Sequence, residues 1–278
     1  MIKQSVESLV DGYRQTYDRL NSDYADLMGW VAFTTLSAIA RSDAPYHDLE
    51  HTVLVTLVGQ EILRGKQIME GGVSPRAWLH FIISLLCHDI GYIKGICRDD
   101  WTPERLYTTG VDNHMIVLSS KATDASLTPY HVDRSKQFVA EKFARERLIN
   151  IELIKHNIEL TRFPVPNDAE HSDTLNYPGL ARAADLIGQL GDTNYLDKIP
   201  ALFSEFEETG ANQKLGYRHP QDVRASYPKF YRHTVYPLIQ EGLEYLRATL
   251  QGNQIISSLY ANVRKVEQEN QLSTAIAC

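Results

Sequence analysis

Apolar residues along this 278-residue chain recur at three- and four-residue spacing almost throughout, and almost nowhere in strict alternation. That pattern favours helices with one buried face over strands. Val6, Leu9, Val10, Tyr13 and Tyr17 fall on one helical face, and Leu54, Val58 and Ile62 form another stripe. The stretch SPRAWLHFIISLLCHD is apolar nearly all round. Ser74 is placed to cap it, Pro75 stands in its first turn and Gly91 is placed to end it, which predicts a helix buried on most sides. Further helices are expected in VDRSKQFVAEKFARE, INIELIKHNIEL, PGLARAADLIGQL, YLDKIPALFSEFEE, VYPLIQEGLEYLRATL and IISSLYANVRKVEQE. DDWTPERLYTTGVDNH, TRFPVPNDAEHSDTLNYP and TGANQKLGYRHPQDVRASYP carry Pro, Gly and Asn and read as connections. No repeat or composition break divides the chain. One all-α domain over residues 1–278 is expected, a helical bundle with a core over 30–250 and a C-terminal helix over 251–270.

Several function classes are disfavoured at this stage. A net charge of −7 lacks the basic footprint that nucleic acid or an anionic membrane requires. No apolar run approaches the roughly 20 residues that span a bilayer. The N-terminal MIKQSVESLVDGYRQTYDRL has no signal-peptide core. Three cysteines, one of them terminal, make no disulfide framework, so a reducing cytoplasm is expected and Cys87 reads as core. The stripe Ile256, Leu259, Tyr260, Val263 and Val266 suits either the chain's own core or a second subunit in a homodimer.

The chemistry centres on LLCHDIGY, which places His88 and Asp89 at the end of the most apolar helix, where buried polar groups need a partner or a metal. His51 precedes them on a helix. Asp185 follows inside ARAADLIGQL, interrupting Leu180, Ala181, Ala184 and Ile187. Imidazoles with carboxylates suit a divalent ion such as Zn, Mn, Fe or Mg. His51, His88, Asp89 and Asp185 therefore read as a primary metal site, with Asp89 able to bridge to a second ion. Water in the open positions would have its pKa lowered to about 7. APYHDLEHTVLV puts His47 four residues before His51, and on a helical turn the two would share a face. There, with an ordinary pKa of about 6.5, it suits a general acid for a departing alkoxide, with Asp48 or Glu50 to orient it. His131 and His156 are candidate further ligands. His80 reads as core; His171, His219 and His233 read as loop or surface residues; Glu205, Glu207 and Glu208 read as a wet helix face.

The order His, His-Asp, distant Asp on helices resembles the HD-domain metal-dependent phosphohydrolase superfamily, and within it the catalytic domain of class I cyclic-nucleotide phosphodiesterases. The resemblance runs from Tyr46 to Tyr245. YHDLEH matches Tyr-His-Asn-x-x-His, implying the acid at His47 and a ligand at His51. HDIG implies ligands at His88 and Asp89. ARAADLIGQLGDTNYLDKIPALFSEFEETG resembles the segment that supplies the last ligand, implying Asp185. SYPKFYRHTVYPLIQEGL resembles the segment with the purine-selective glutamine and the clamp phenylalanine. It puts Tyr227 at the first position and Phe230 at the second. A phenol lacks the paired donor and acceptor of an amide, so purine recognition of the usual kind is not implied. After His-Asp the phosphodiesterases carry a further histidine and Pro-Gly; this chain has Tyr92, Ile93 and Lys94. Lys94 approximates the lysine of other HD proteins, and with Arg182 it is a candidate phosphate contact. The resemblance implies hydrolysis of a phosphodiester or phosphomonoester of a small molecule such as a nucleotide. The rivals are a nucleotidase or triphosphohydrolase on the same site, a di-iron oxygenase using His131 and His156, and a non-catalytic metal-binding sensor.

Overall fold

The first apolar stripe becomes α1 (Ile2–Tyr17), which buries Leu9 and Tyr13 and packs on α2 (Ser22–Ile39), a helix too evenly apolar to stand out as a stripe. The computed structural model describes residues 1–18 and 20–277. Asp48 caps α3 (Leu49–Met69) by accepting from the His51 backbone N–H at 3.0 Å. α4 (Pro75–Cys87) begins as its sequence predicts. Ser74 Oγ accepts from the Ala77 N–H at 3.1 Å, and every residue from Trp78 to Cys87 is buried. α4 ends at Cys87, so Gly91 is not its cap. Gly91 lies in a one-turn 3₁₀ helix, Ile90–Tyr92, where a Cβ would come within 2.0 Å of the His131 carbonyl oxygen. The glycine permits α5 (His131–Lys142) to press its backbone onto the His-Asp turn.

After α6 (Ile151–Glu159) the chain reaches α7 (Tyr177–Leu190), which runs along α3 at close range. A Cβ on Gly188 would stand 2.8 Å from the Val55 Cα, so these two helices meet backbone to backbone. That approach sets Asp185, one turn before Gly188, opposite the start of α3. α8 (Tyr195–Glu208), α9 (Ala211–Leu215), α10 (Pro220–Phe230), α11 (Tyr236–Leu246) and α12 (Leu250–Ala277) complete a single all-α bundle. Ile256, Leu259, Val263 and Val266 are buried, so the C-terminal stripe is used on the chain's own core.

Two expected connections carry structure. In and just after DDWTPERLYTTGVDNH, β1 (Leu106–Thr108) and β2 (Met115–Val117) pair antiparallel, Tyr107 opposite Ile116. These strands are too short for alternation to register. In the later connection α10 starts at Pro220 and runs through Pro228 in its last turn, so the prolines that suggested a loop stand at the first position and near the end of a helix. Cys87 and Cys97 are buried free thiols. Among the described residues no helix is long and apolar enough to cross a membrane.

Candidate metal centre

Four side chains from three parts of the fold converge where α3, the end of α4 and α7 meet. His51 Nε2 stands 3.2 Å from Asp89 Oδ2 and 3.4 Å from Asp185 Oδ1. His88 Nε2 stands 3.1 Å and 3.6 Å from the same two oxygens. Two donors bound to one ion at about 2.0–2.2 Å, at angles between octahedral and tetrahedral, lie about 2.8–3.6 Å apart. The four separations fall in that interval. His51 Nε2, His88 Nε2 and Asp89 Oδ2 are buried and have no hydrogen-bond partner, an expensive arrangement for three polar atoms unless something sits among them. His88 Nδ1 is 2.7 Å from the Leu85 carbonyl, which fixes a proton there and leaves Nε2 as the nitrogen that faces the gap. The donor set fits a divalent cation.

Asp89 also faces the other way. Its Oδ1 lies 3.7 Å from His131 Nε2, and His131 Nδ1 is 2.6 Å from the Thr128 carbonyl, the same orientation as His88. Burial holds His131 below the usual histidine range, so it is a neutral base. One carboxylate thus has imidazoles on each of its oxygens, the arrangement that would let it bridge two ions.

His47 sits at the solvent side, its side chain 17% exposed. A ring nitrogen of His47 lies within 4.8 Å of the ligand atoms of His51 and Asp89. Its Nδ1 is 2.5 Å from Glu205 Oε2, while Glu205 Oε1 accepts from the backbone N–H groups of Tyr46 at 2.7 Å and His47 at 3.0 Å. Burial opposes charge on His47, but Glu205 raises it above the ordinary histidine value. Glu205 itself is 2% exposed. It is not part of a wet face, and its role was expected of Asp48 or Glu50. Those two are committed elsewhere, Asp48 to the α3 cap and Glu50 to Lys198 at 2.9 Å. The sequence did hold the signal. Leu196, Ile199, Leu202 and Glu205 share the buried stripe of α8, and an acid on an apolar stripe needs a partner inside.

A family model described as Npun_R2479-like matches residues 1–269. The chain belongs to the Npun_R2479-like family. No curated protein matches it.

In this Npun_R2479-like chain the remaining candidates lie apart from the cluster's ligand contacts. His156 is half-exposed and pairs through Nδ1 with Glu170 at 3.2 Å, because α6 turns that face outward. Lys94 Nζ bonds Asp43 at 3.1 Å and the Ala122 carbonyl at 3.0 Å, with Asp124 beside it, so no charge is left over for phosphate. Arg182 is buried and donates to the carbonyls of His171 and Asp173, anchoring the loop before α7. His171 is buried with it, its Nδ1 on Asp168 at 2.8 Å, and is not a surface residue. Tyr227 is buried against Tyr195, its hydroxyl 3.5 Å from the Leu190 carbonyl, and Phe230 packs edge-on against Phe163. His80 is core as expected, its Nε2 accepting from the Asn150 N–H at 2.7 Å.

Without an ion the cluster holds protons. Burial disfavours charge on His51, yet Asp185 and Asp89 beside it raise the ring to about 9. Burial likewise opposes ionised Asp185, yet His51 and His88 hold it down to about 2. A cation must displace the imidazole protons to bind. Its apparent affinity should therefore be weak at acid pH and rise, by up to about tenfold per unit for each proton displaced, until the pH passes about 9. Titration calorimetry at pH 7 in buffers of different ionisation enthalpy should register the released protons. Binding with no proton release would show that the imidazoles are not ligands.

Proposed function

We propose that this chain is a metal-dependent phosphohydrolase of the HD type that cleaves a phosphodiester of a small molecule, with His47 as general acid. The observation that carries the reading is a histidine clamped by a buried glutamate at the edge of a four-ligand cluster, His47 on Glu205 beside His51, His88, Asp89 and Asp185. When bound there, a divalent ion supplies Lewis acidity and a water whose pKa is lowered to about 7. The chain's own part is proton delivery. Glu205 holds the Nδ1 proton, which leaves Nε2 of the imidazolium to protonate the leaving oxygen and stabilises the ring before and after transfer. Phosphodiester is favoured over nucleoside triphosphate because Lys94 is paired with Asp43 and Arg182 is buried against loop carbonyls. A singly charged ester asks less of the site than a polyphosphate.

His47→Ala should keep its bound ion and lose about 10²- to 10⁴-fold in kcat on an ester with a poor leaving group, the usual worth of a general acid. It should lose far less on a 4-nitrophenyl ester, whose leaving group needs no proton. Equal losses on both would reject the acid role, and loss of the ion would make His47 a ligand. The pH profile gives a second check. Glu205 raises His47, so the acid form persists to a higher pH and the rate falls as pH rises through that value. Glu205→Gln should move this fall to lower pH. The di-iron oxygenase reading loses support because His156 is tied to Glu170; oxygen consumption by the iron-loaded protein would revive it.

A further inference from the structure

His47 is restrained by one hydrogen bond and by the rings around it. The bond to Glu205 fixes Nδ1 but leaves the ring free to pivot about that contact. Tyr46 and His51 touch it edge-on, at 5.2 Å and 77° and at 5.3 Å and 79°. Tyr92 alone lies nearly parallel to it, with centroids 4.6 Å apart and planes 13° apart. The Tyr92 ring is itself immobilised. It is 2% exposed, follows Asp89 in the one-turn helix Ile90–Tyr92, and lies beside Thr128. Thr128 is fixed in turn, its hydroxyl on the Ala125 carbonyl at 2.6 Å and its own carbonyl on His131 Nδ1 at 2.6 Å. His131 also stacks on Tyr92, at 4.5 Å and 22°. One phenol therefore touches the acid on one side of the chemistry and the Asp89 partner His131 on the other.

We propose that Tyr92 is a positioning residue whose ring sets the plane of the His47 imidazole, and so the direction in which Nε2 delivers its proton. A flat ring lying on a flat ring resists tilting, because tilt separates the stacked faces. Neither the bond to Glu205 nor the edge contacts supplies that restraint. Proton transfer is sensitive to such aim, and about 1 Å of misplacement costs on the order of 100-fold. The proposal rests on the general-acid reading of His47.

The test compares Tyr92→Phe, Tyr92→Leu and, should leucine not fold, Tyr92→Met, each checked for ion content and helicity. Substrates are diphenyl phosphate, whose leaving group needs a proton, and bis(4-nitrophenyl) phosphate, whose leaving group does not. The aliphatic variants should lose about 10- to 100-fold in kcat on the first with little change in KM, and little on the second. Tyr92→Phe keeps the ring and should rescue the loss. Equal losses on both esters, no loss at all, or a phenylalanine variant as poor as leucine would overturn the proposal. If the ion-loaded wild type cleaves neither ester, the hydrolase reading fails and the ring-plane claim is decided by NMR alone. Nuclear Overhauser contacts from the His47 ring to Tyr46 and His51 should persist in Tyr92→Phe and weaken in the aliphatic variants. Their full persistence in the aliphatic variants would overturn it.

Discussion

Asp89→Asn is expected to abolish both ion binding and hydrolysis. The substitution keeps the size and shape of the side chain and removes its charge. Oδ2 is the atom shared by His51 and His88, at 3.2 Å and 3.1 Å, and Oδ1 faces His131 at 3.7 Å. An amide nitrogen at either position has no lone pair to offer, so every ion that uses Asp89 loses a charged ligand at once. Outer partners of metal ligands are worth about 10–100-fold in affinity or activity. Loss of a shared ligand should exceed about 100-fold. Ion content after dialysis, thermal midpoints with and without added Zn or Mn, and hydrolysis rates measure the effect. Wild type should melt higher with the ion present, since a ligand that binds only the folded state at a hundred times its Kd adds about 2.7 kcal/mol. The variant should melt at the same temperature either way. Full metal-dependent activity in Asp89→Asn would remove Asp89 from the site and the proposed chemistry with it.

His88, Asp89 and Asp185 were legible in the sequence because each ends or interrupts an apolar pattern, and a polar residue in a buried stripe has to be explained. His88 and Asp89 end the most buried helix, and Asp185 breaks the stripe of α7. The same rule applies to Glu205 on α8, where the neighbouring Glu207 and Glu208 disguised it. What the pattern does not carry is which distant group meets which. His131 and His156 look alike along the chain, each at or within a predicted helix. They separate only because Gly91 admits the start of α5 to the His-Asp turn, while α6 directs His156 toward Glu170. Lys94 finds Asp43, and Arg182 finds the carbonyls of an irregular loop. Both partners are products of tertiary folding that no local spacing encodes. The helices were readable where an apolar face was periodic. They were missed in α2, which has too little polar face, and in α10, where proline looked like punctuation.

Arg134→Ala should destabilise the protein by about 3–5 kcal/mol, the cost of stranding one member of a buried ion pair. Arg134 and Asp100 are both 0% exposed in their side chains. The guanidinium places Nη1 and Nη2 on the two Asp100 oxygens at 2.9 Å each, and gives its other donors to the carbonyls of Gly91, Thr108 and Ile93. All five N–H groups are used. Asp100 accepts in addition from the backbone of Gly95, Cys97 and Thr108. The pair therefore ties α5, the His-Asp turn, the following loop and β1 at one point. With alanine, Asp100 stays buried with only backbone donors, and three carbonyls each lose a donor. For a chain of this size the thermal midpoint should fall by about 10 °C. Arg134→Lys should recover only a minor part, because an ammonium cannot bridge both carboxylate oxygens and reach three carbonyls. The change should also be felt at the His-Asp cluster. Arg134 Nε holds the Gly91 carbonyl at 2.6 Å, and the adjacent Ser135 hydroxyl donates to the His88 carbonyl at 2.7 Å, so loosening α5 loosens the turn that aims His88 and Asp89. Ion affinity measured well below the melting range should drop by about 10–100-fold, as for other outer supports of a metal site. A midpoint within about 2 °C of wild type would mean that water reaches Asp100 and the buried pair is not what secures the turn.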